Sequence, residues 1–187
     1  MKSVAEGARL RGGIKVSAAF GFAIHTGWAI AVMIDGPQPT VLFRRRIELG
    51  SQEHDARFVY HAASERPAAA ERLIADAART ARERAEAALR QALNEVAPKR
   101  ARAAGLPQPK RALPPLDQIL RSHPLIHLAE GELFRKALED ACRVLDLTVV
   151  IPKPTALPDL GAVGRPWTKD HKAAAALALG ALAEHRR

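Results

Sequence analysis

An uncharged run near the start of this chain limits what it can fold into. Residues 16–33 read VSAAFGFAIHTGWAIAVM, and His25 is their only titratable side chain. Such a run can cross a membrane as a helix, which takes about 20 apolar residues. It can also lie inside a protein as strands covered on both faces, which read as near-continuous apolar stretches. Lys2, Arg9, Arg11 and Lys15 precede it, as in a signal peptide or signal anchor, and Ala29-Ile30-Ala31 has the small-x-small form of a cleavage site. Its interior favours strands. Ser17, Gly21, Thr26 and Gly27 interrupt the run, and His25-Thr26-Gly27 reads as a turn. Two adjacent buried strands, over residues 14–24 and 28–34, account for it without lipid. Buried strands in a cytoplasmic protein are therefore expected; a signal-anchored, membrane-associated protein is the alternative.

The rest of the chain extends the pattern. Asp35-Gly36-Pro37-Gln38-Pro39 is a turn cluster, and residues 40–49 alternate as a third strand. Val41, Phe43, Ile47 and Leu49 share one face, with Arg44, Arg46 and Glu48 on the other. Arg45 falls on the apolar side and needs a partner or an edge. Short links between three strands predict an antiparallel meander. Residues 50–66 are polar and mixed. Pro67 opens a helix running to about residue 96, since Pro at a first helical position costs no hydrogen bond. Ile74, Ala78, Ala81, Ala85, Ala88, Ala92 and Val96 form its stripe, and about 30 residues make it ~45 Å long. Residues 98–115 form a basic, Pro-rich connector without a convincing strand. Ser122 or His123 caps a second long helix ending near residue 145, with Pro124 in its first turn. Residues 148–151 are a short strand, 152–166 a loop, and Asp170 opens a final Ala-rich helix over residues 172–184. Residues 1–12 read as a disordered basic arm, and 13–187 as one domain.

Composition narrows the function classes. The single cysteine, Cys142, excludes an intramolecular disulfide and a zinc ribbon. The chain carries 29 Lys and Arg against 20 Asp and Glu, a net charge of +9. The excess is densest at Lys99, Arg100, Arg102, Lys110 and Arg111, with a second cluster at Arg44, Arg45 and Arg46. Clusters of this kind neutralise phosphates and give salt-dependent nucleic-acid binding, although a basic loop is also an ordinary solvated surface. Aromatic residues make up only 4% of the chain. That disfavours a base-stacking platform, so contacts to nucleic acid are expected through backbone phosphates.

No phosphate-binding glycine loop, HExxH, paired CxxC or GxSxG is present. Three constellations remain. In His123-Pro-Leu-Ile-His127-Leu-Ala-Glu130-Gly-Glu132, spacings of four and three stack His123, His127 and Glu130 on one helix face. Imidazoles and carboxylates so placed can hold a divalent metal, and Glu130 with Glu132 suits Mg; helix capping and local hydrogen bonds are the plain alternative. In Trp167-Thr168-Lys169-Asp170-His171-Lys172, Thr168 or Asp170 caps the last helix. Alternatively Asp170 projects into a site, with Lys172 or His171 contacting phosphate or moving protons. In His25-Thr26-Gly27-Trp28, His25 is either a satisfied core histidine or a site residue at a strand connection.

This organisation resembles the ribonuclease H-like superfamily, which includes the Holliday-junction resolvases. The Thr26-Gly27-Trp28 step is similar to the Thr-Gly-aromatic step after their first strand. The Asp170-His171-Lys172 run into alanines is similar to their last helix, which carries a catalytic aspartate. His25-Thr26-Gly27-Trp28-Ala29, Ser122-His123 with Leu125-Ile126-His127, and Ala129 to Arg135 more closely resemble an uncharacterised bacterial protein family. The resemblance implies an α/β fold, with a three-stranded antiparallel meander followed by parallel strands and flanking helices. It also implies a metal-dependent nuclease using Mg or Mn, with Asp170 as a metal ligand; Glu130, Glu132 and His127 are the further ligand candidates that the helix-face spacing offers. His25, Glu130, Asp170 and Lys172 are then the catalytic candidates, and His25 replaces the first-strand acid, which this sequence lacks. Arg44, Arg46, Lys99, Arg100, Arg102, Lys110 and Arg111 would contact phosphates. A non-catalytic domain that binds protein or nucleic acid is the competing expectation.

Overall fold

The computed structural model describes residues 18–50, 57–109 and 111–185. The basic arm and Lys110 lie outside them. The apolar run folds as two antiparallel strands, β1 (Ala18–His25) and β2 (Trp28–Asp35), paired from Ala18↔Asp35 to His25↔Trp28. Thr26 and Gly27 make the turn. Gly27 has φ +80°, and its carbonyl accepts the Leu49 and Gly50 amides at 2.8 Å each, which ties the hairpin to the end of the next strand. No helix among the described residues is long and apolar enough to cross a membrane.

β3 (Thr40–Glu48) completes the meander along β2. Its alternation differs from the expected one at one residue. A register shift at Met33/Ile34 places Val41 on the opposite face from Phe43 and Ile47. Arg45 finds its partner on the apolar side: its guanidinium donates two 3.0 Å bonds to Glu95 and lies over the Phe43 ring. Those bonds hold the Glu95 carboxyl below its usual range.

Helix α1 (Val59–Glu65) lies in the segment expected to be irregular; it is too short for periodicity to reveal. A 3₁₀ turn at Pro67–Ala69 precedes α2 (Ala70–Glu95). The α2 stripe buries Ala81, Ala85, Leu89 and Ala92. The connector is corrected outright, because residues 101–105 form β4 (Ala101–Gly105), parallel to β1 and to β5 (Thr148–Val150). Alanine and glycine have poor strand propensity, but here size decides. A Cβ on Gly105 would lie 2.3 Å from the Leu177 carbonyl oxygen, so only a small residue lets a helix lie on this strand. A short α3 (Leu116–Leu120) leads into α4 (His123–Val144), and α5 (Lys169–His185) ends the described chain.

The sheet order is β3-β2-β1-β4-β5. Phe20, Phe22, Met33 and Ile47 pack on one face with α2 and α4, through Ala85, Leu89, Phe134 and Leu138. Ala19, Ile30, Val32 and Ala103 pack on the other with α5, through Ala174, Ala178 and Leu182. β1 therefore presents Ala19, Gly21, Ala23 and His25 to α5. A Cβ on Gly21 would lie 2.0 Å from the Ala174 carbonyl oxygen, so helix and strand touch backbone to backbone. This close approach brings the first turn of α5 to the C-terminal end of β1.

Candidate functional site

His25 is the last residue of β1, and Asp170 is the second residue of α5. The His25 Nε2 lies 3.2 Å from the Asp170 Oδ2, with both side chains part-exposed. A carboxylate in a first helical turn is favoured by the helix dipole. The His25 ring stacks on Trp28 at 4.0 Å between centroids and 8° between planes. Trp28 also carries the Arg46 guanidinium 4.2 Å from its ring centre. His25 is thus held by its backbone, by one face of its ring and by one nitrogen, and Nδ1 has no partner among the described residues.

Beside this pair is an open cleft of about 440 Å³, lined by Trp28, Arg44, Arg46, Thr168, Asp170 and His171 among others. Arg44 is committed to its floor, donating to the carbonyls of Gly164, Arg165 and Pro166. Arg46 pairs with Glu48 at 2.6 Å. His171 is buried, and its Nδ1 accepts the Thr168 amide at 3.3 Å while sitting 2.7 Å from the Thr168 hydroxyl. Burial first, then the Arg44 charge, hold the His171 pKa below the ordinary histidine value. Lys172 is exposed and lines a neighbouring hollow with Leu160 and Trp167.

The structure brings His25 and Asp170 together, and it bonds Glu130 elsewhere. Glu130 lies on α4, across the sheet from α5, and is fully buried. Its Oε1 is 2.8 Å from the His61 Nδ1, and its Oε2 is 3.7 Å from the His127 Nδ1, too long for a hydrogen bond. Burial, then the Glu130 charge, raise the pKa of neighbouring Tyr60. His61 was not singled out from the sequence; it sits on α1, whose single short helix gives no periodic signal. Glu132 meets the Arg135 Nε at 2.8 Å at the mouth of a second cavity, of about 620 Å³, which Arg111 also lines. Lys99 bonds the Asp35 Oδ2 at 2.6 Å.

Two-ion phosphoryl transfer needs several carboxylates around ions roughly 4 Å apart. The α5-facing positions of β1 supply none, and Gly21 is sealed by helix backbone. Asp170 is the one carboxylate among the described residues lining the cleft. These residues do not fit a two-ion centre; they can offer a single ion one carboxylate and one imidazole.

A mixed five-stranded sheet, with an antiparallel meander, two parallel strands and helices on both faces, is a ribonuclease H-like fold. A solved structure has the same fold. The chain matches Thermus thermophilus RuvC in complex with a Holliday junction substrate at 14% identity, covering 87% of this chain and 90% of that one, with a TM-score of 0.54. It also matches a second Thermus thermophilus RuvC structure at 13% identity, with coverages of 87% and 92% and a TM-score of 0.49. No family model and no curated protein matches the sequence.

Proposed function

We propose that this chain binds nucleic acid through its phosphate backbone at the C-terminal end of β1 and cleaves it there, with His25 and Asp170 as the reacting pair. The observation that carries this reading is the 3.2 Å contact between them, beside an arginine-lined cleft, in a ribonuclease H-like fold. Asp170 holds one nitrogen of His25 in place, while Trp28 fixes the ring plane. The other nitrogen, Nδ1, then takes the proton of an attacking water. Arg46 and Lys172 supply positive charge for the phosphate. One Mg or Mn ion at Asp170 would add Lewis acidity at that phosphate. The solved neighbour bound to a Holliday junction supports a nucleic-acid substrate class, and the net charge of +9 supports an anionic one.

The test is cleavage of labelled single-stranded and branched DNA in Mg or Mn. Asp170→Asn is expected to slow cleavage by about 10²–10⁴-fold while the thermal transition and DNA affinity stay close to wild type; undiminished cleavage removes Asp170 from the reaction. The absence of any acid from β1 favours a second reading, a non-catalytic nucleic-acid-binding module. That reading prevails if the wild-type chain binds DNA with a steep salt dependence, yet neither cleaves it nor shifts its melting with Mg or Mn.

A further inference from the structure

We propose that His61, His123 and His127 form a site for one zinc-class transition-metal ion, with Glu130 beneath it as the carboxylate that orients His61. This site is separate from the His25–Asp170 cleft and does not rest on the function proposed there. The three imidazoles come from two elements. His123 and His127 lie one turn apart on α4, and His61 reaches them from α1. One ligand nitrogen from each lies within 4.8 Å of the others. The ring centroids are 4.4 Å apart for His123–His127, 4.8 Å for His61–His127 and 5.3 Å for His61–His123.

Glu130 is the second, independent observation. It has no exposed surface, and its ion-pair partners among the described residues are His61 and His127 alone. Its Oε2 is buried without a hydrogen-bond partner among the described residues. A carboxylate taken out of water without a firmly bonded cation is costly, and a metal cation above it removes that cost. Its Oε1 already engages the His61 Nδ1, which sets that ring to donate from Nδ1 and leaves Nε2 free as a ligand. This carboxylate–histidine arrangement is the usual support of a metal-bound imidazole.

The donor set selects the metal. Three neutral imidazoles suit Zn, Co or Ni and suit Mg or Ca poorly, since those prefer oxygen. Tetrahedral Zn–N bonds of about 2.0–2.1 Å put ligand nitrogens about 3.3 Å apart, so the cluster has to contract. His123 and His127 are exposed and can turn inward, whereas His61 is the anchored member. Three histidines leave a fourth position open to solvent, for water or an anion.

The experiment uses the untagged full chain, stripped with a chelator and titrated with Zn against a chromogenic competitor, and separately with Co. One Zn per chain is expected, with the visible absorption of a four- or five-coordinate Co site. His61→Ala and His127→Ala are each expected to weaken Zn binding at least tenfold, and Glu130→Gln by about 10–100-fold. Asp170→Asn should bind Zn as wild type does. Should Glu130→Gln fail to fold, the surface pair His123→Ala with His127→Ala carries the test. No Zn binding at micromolar concentration overturns the proposal. So does Zn binding that survives that double substitution.

Discussion

Gly21→Ala probes the contact that positions the His25–Asp170 pair. The added Cβ would sit 2.0 Å from the Ala174 carbonyl oxygen and 2.4 Å from the Ala178 amide nitrogen, both backbone atoms. No rotamer change relieves such a contact; α5 must retreat by at least about 1 Å to restore even a tight van der Waals distance. Overpacking of a closed core costs about 1–3 kcal/mol, and backbone on both sides places this case near ~3 kcal/mol. With a urea slope of about 2 kcal/mol/M, the unfolding midpoint should fall by about 1.5 M. Asp170 lies one turn before Ala174, so the same retreat stretches its 3.2 Å contact with His25, and any cleavage should fall with stability. Gly131→Ala is the control. It lies within α4, nothing stands within 4 Å of its added Cβ, and it should stabilise by ~0.5–1 kcal/mol. A Gly21→Ala chain unfolding within about 0.5 kcal/mol of wild type would refute the backbone contact and the placement of α5 built on it.

The pH response and the thiol give two further outcomes. His171 has its folded-state pKa below the ordinary value, so the folded chain holds fewer protons than the unfolded chain. Its contribution is complete above about pH 6.5 and is lost as the pH falls below that value toward the folded one. Melting temperatures from pH 7.5 to 5 should therefore fall less steeply in His171→Asn, which keeps an acceptor for the Thr168 amide; an unchanged slope contradicts this. Cys142 is fully buried, and burial first, then the nearby Glu139 charge, push its thiol up to about 12. Ellman's reagent should react with one thiol per chain in urea and only at the global unfolding rate without it; rapid reaction of the native chain contradicts that burial.

The meander is legible because β1 and β2 form one uncharged run broken by a turn signal and β3 alternates with period two, and α4 and α5 are legible because their apolar or alanine stripes run for several turns. β4 was not legible. Ala101-Arg102-Ala103-Ala104-Gly105 has the composition of a loop or helix, and only the helix backbone above Gly105 makes small residues necessary there. Val41 was misplaced because a register shift is a property of the strand pair and leaves no mark on one strand's alternation. At the site, His25 and Asp170 were singled out separately, each by its place at the end of an element. Their contact depends on a packing distance that no local pattern encodes. His127 and Glu130 were visible as a helix face, whereas His61 comes from a short helix elsewhere in the chain, and long-range partners of that kind are silent in sequence.

A double-mutant cycle on single-turnover cleavage asks whether His25 and Asp170 act as one unit on a bound phosphodiester. Rates would be measured at saturating DNA for wild type, His25→Gln, Asp170→Asn and the double variant, with melting temperatures confirming that all four are folded. Residues that act together lose activity non-additively. The double variant should therefore be about as slow as the slower single variant. Losses that multiply would show two independent groups, and cleavage that survives both substitutions would place the chemistry elsewhere in the molecule.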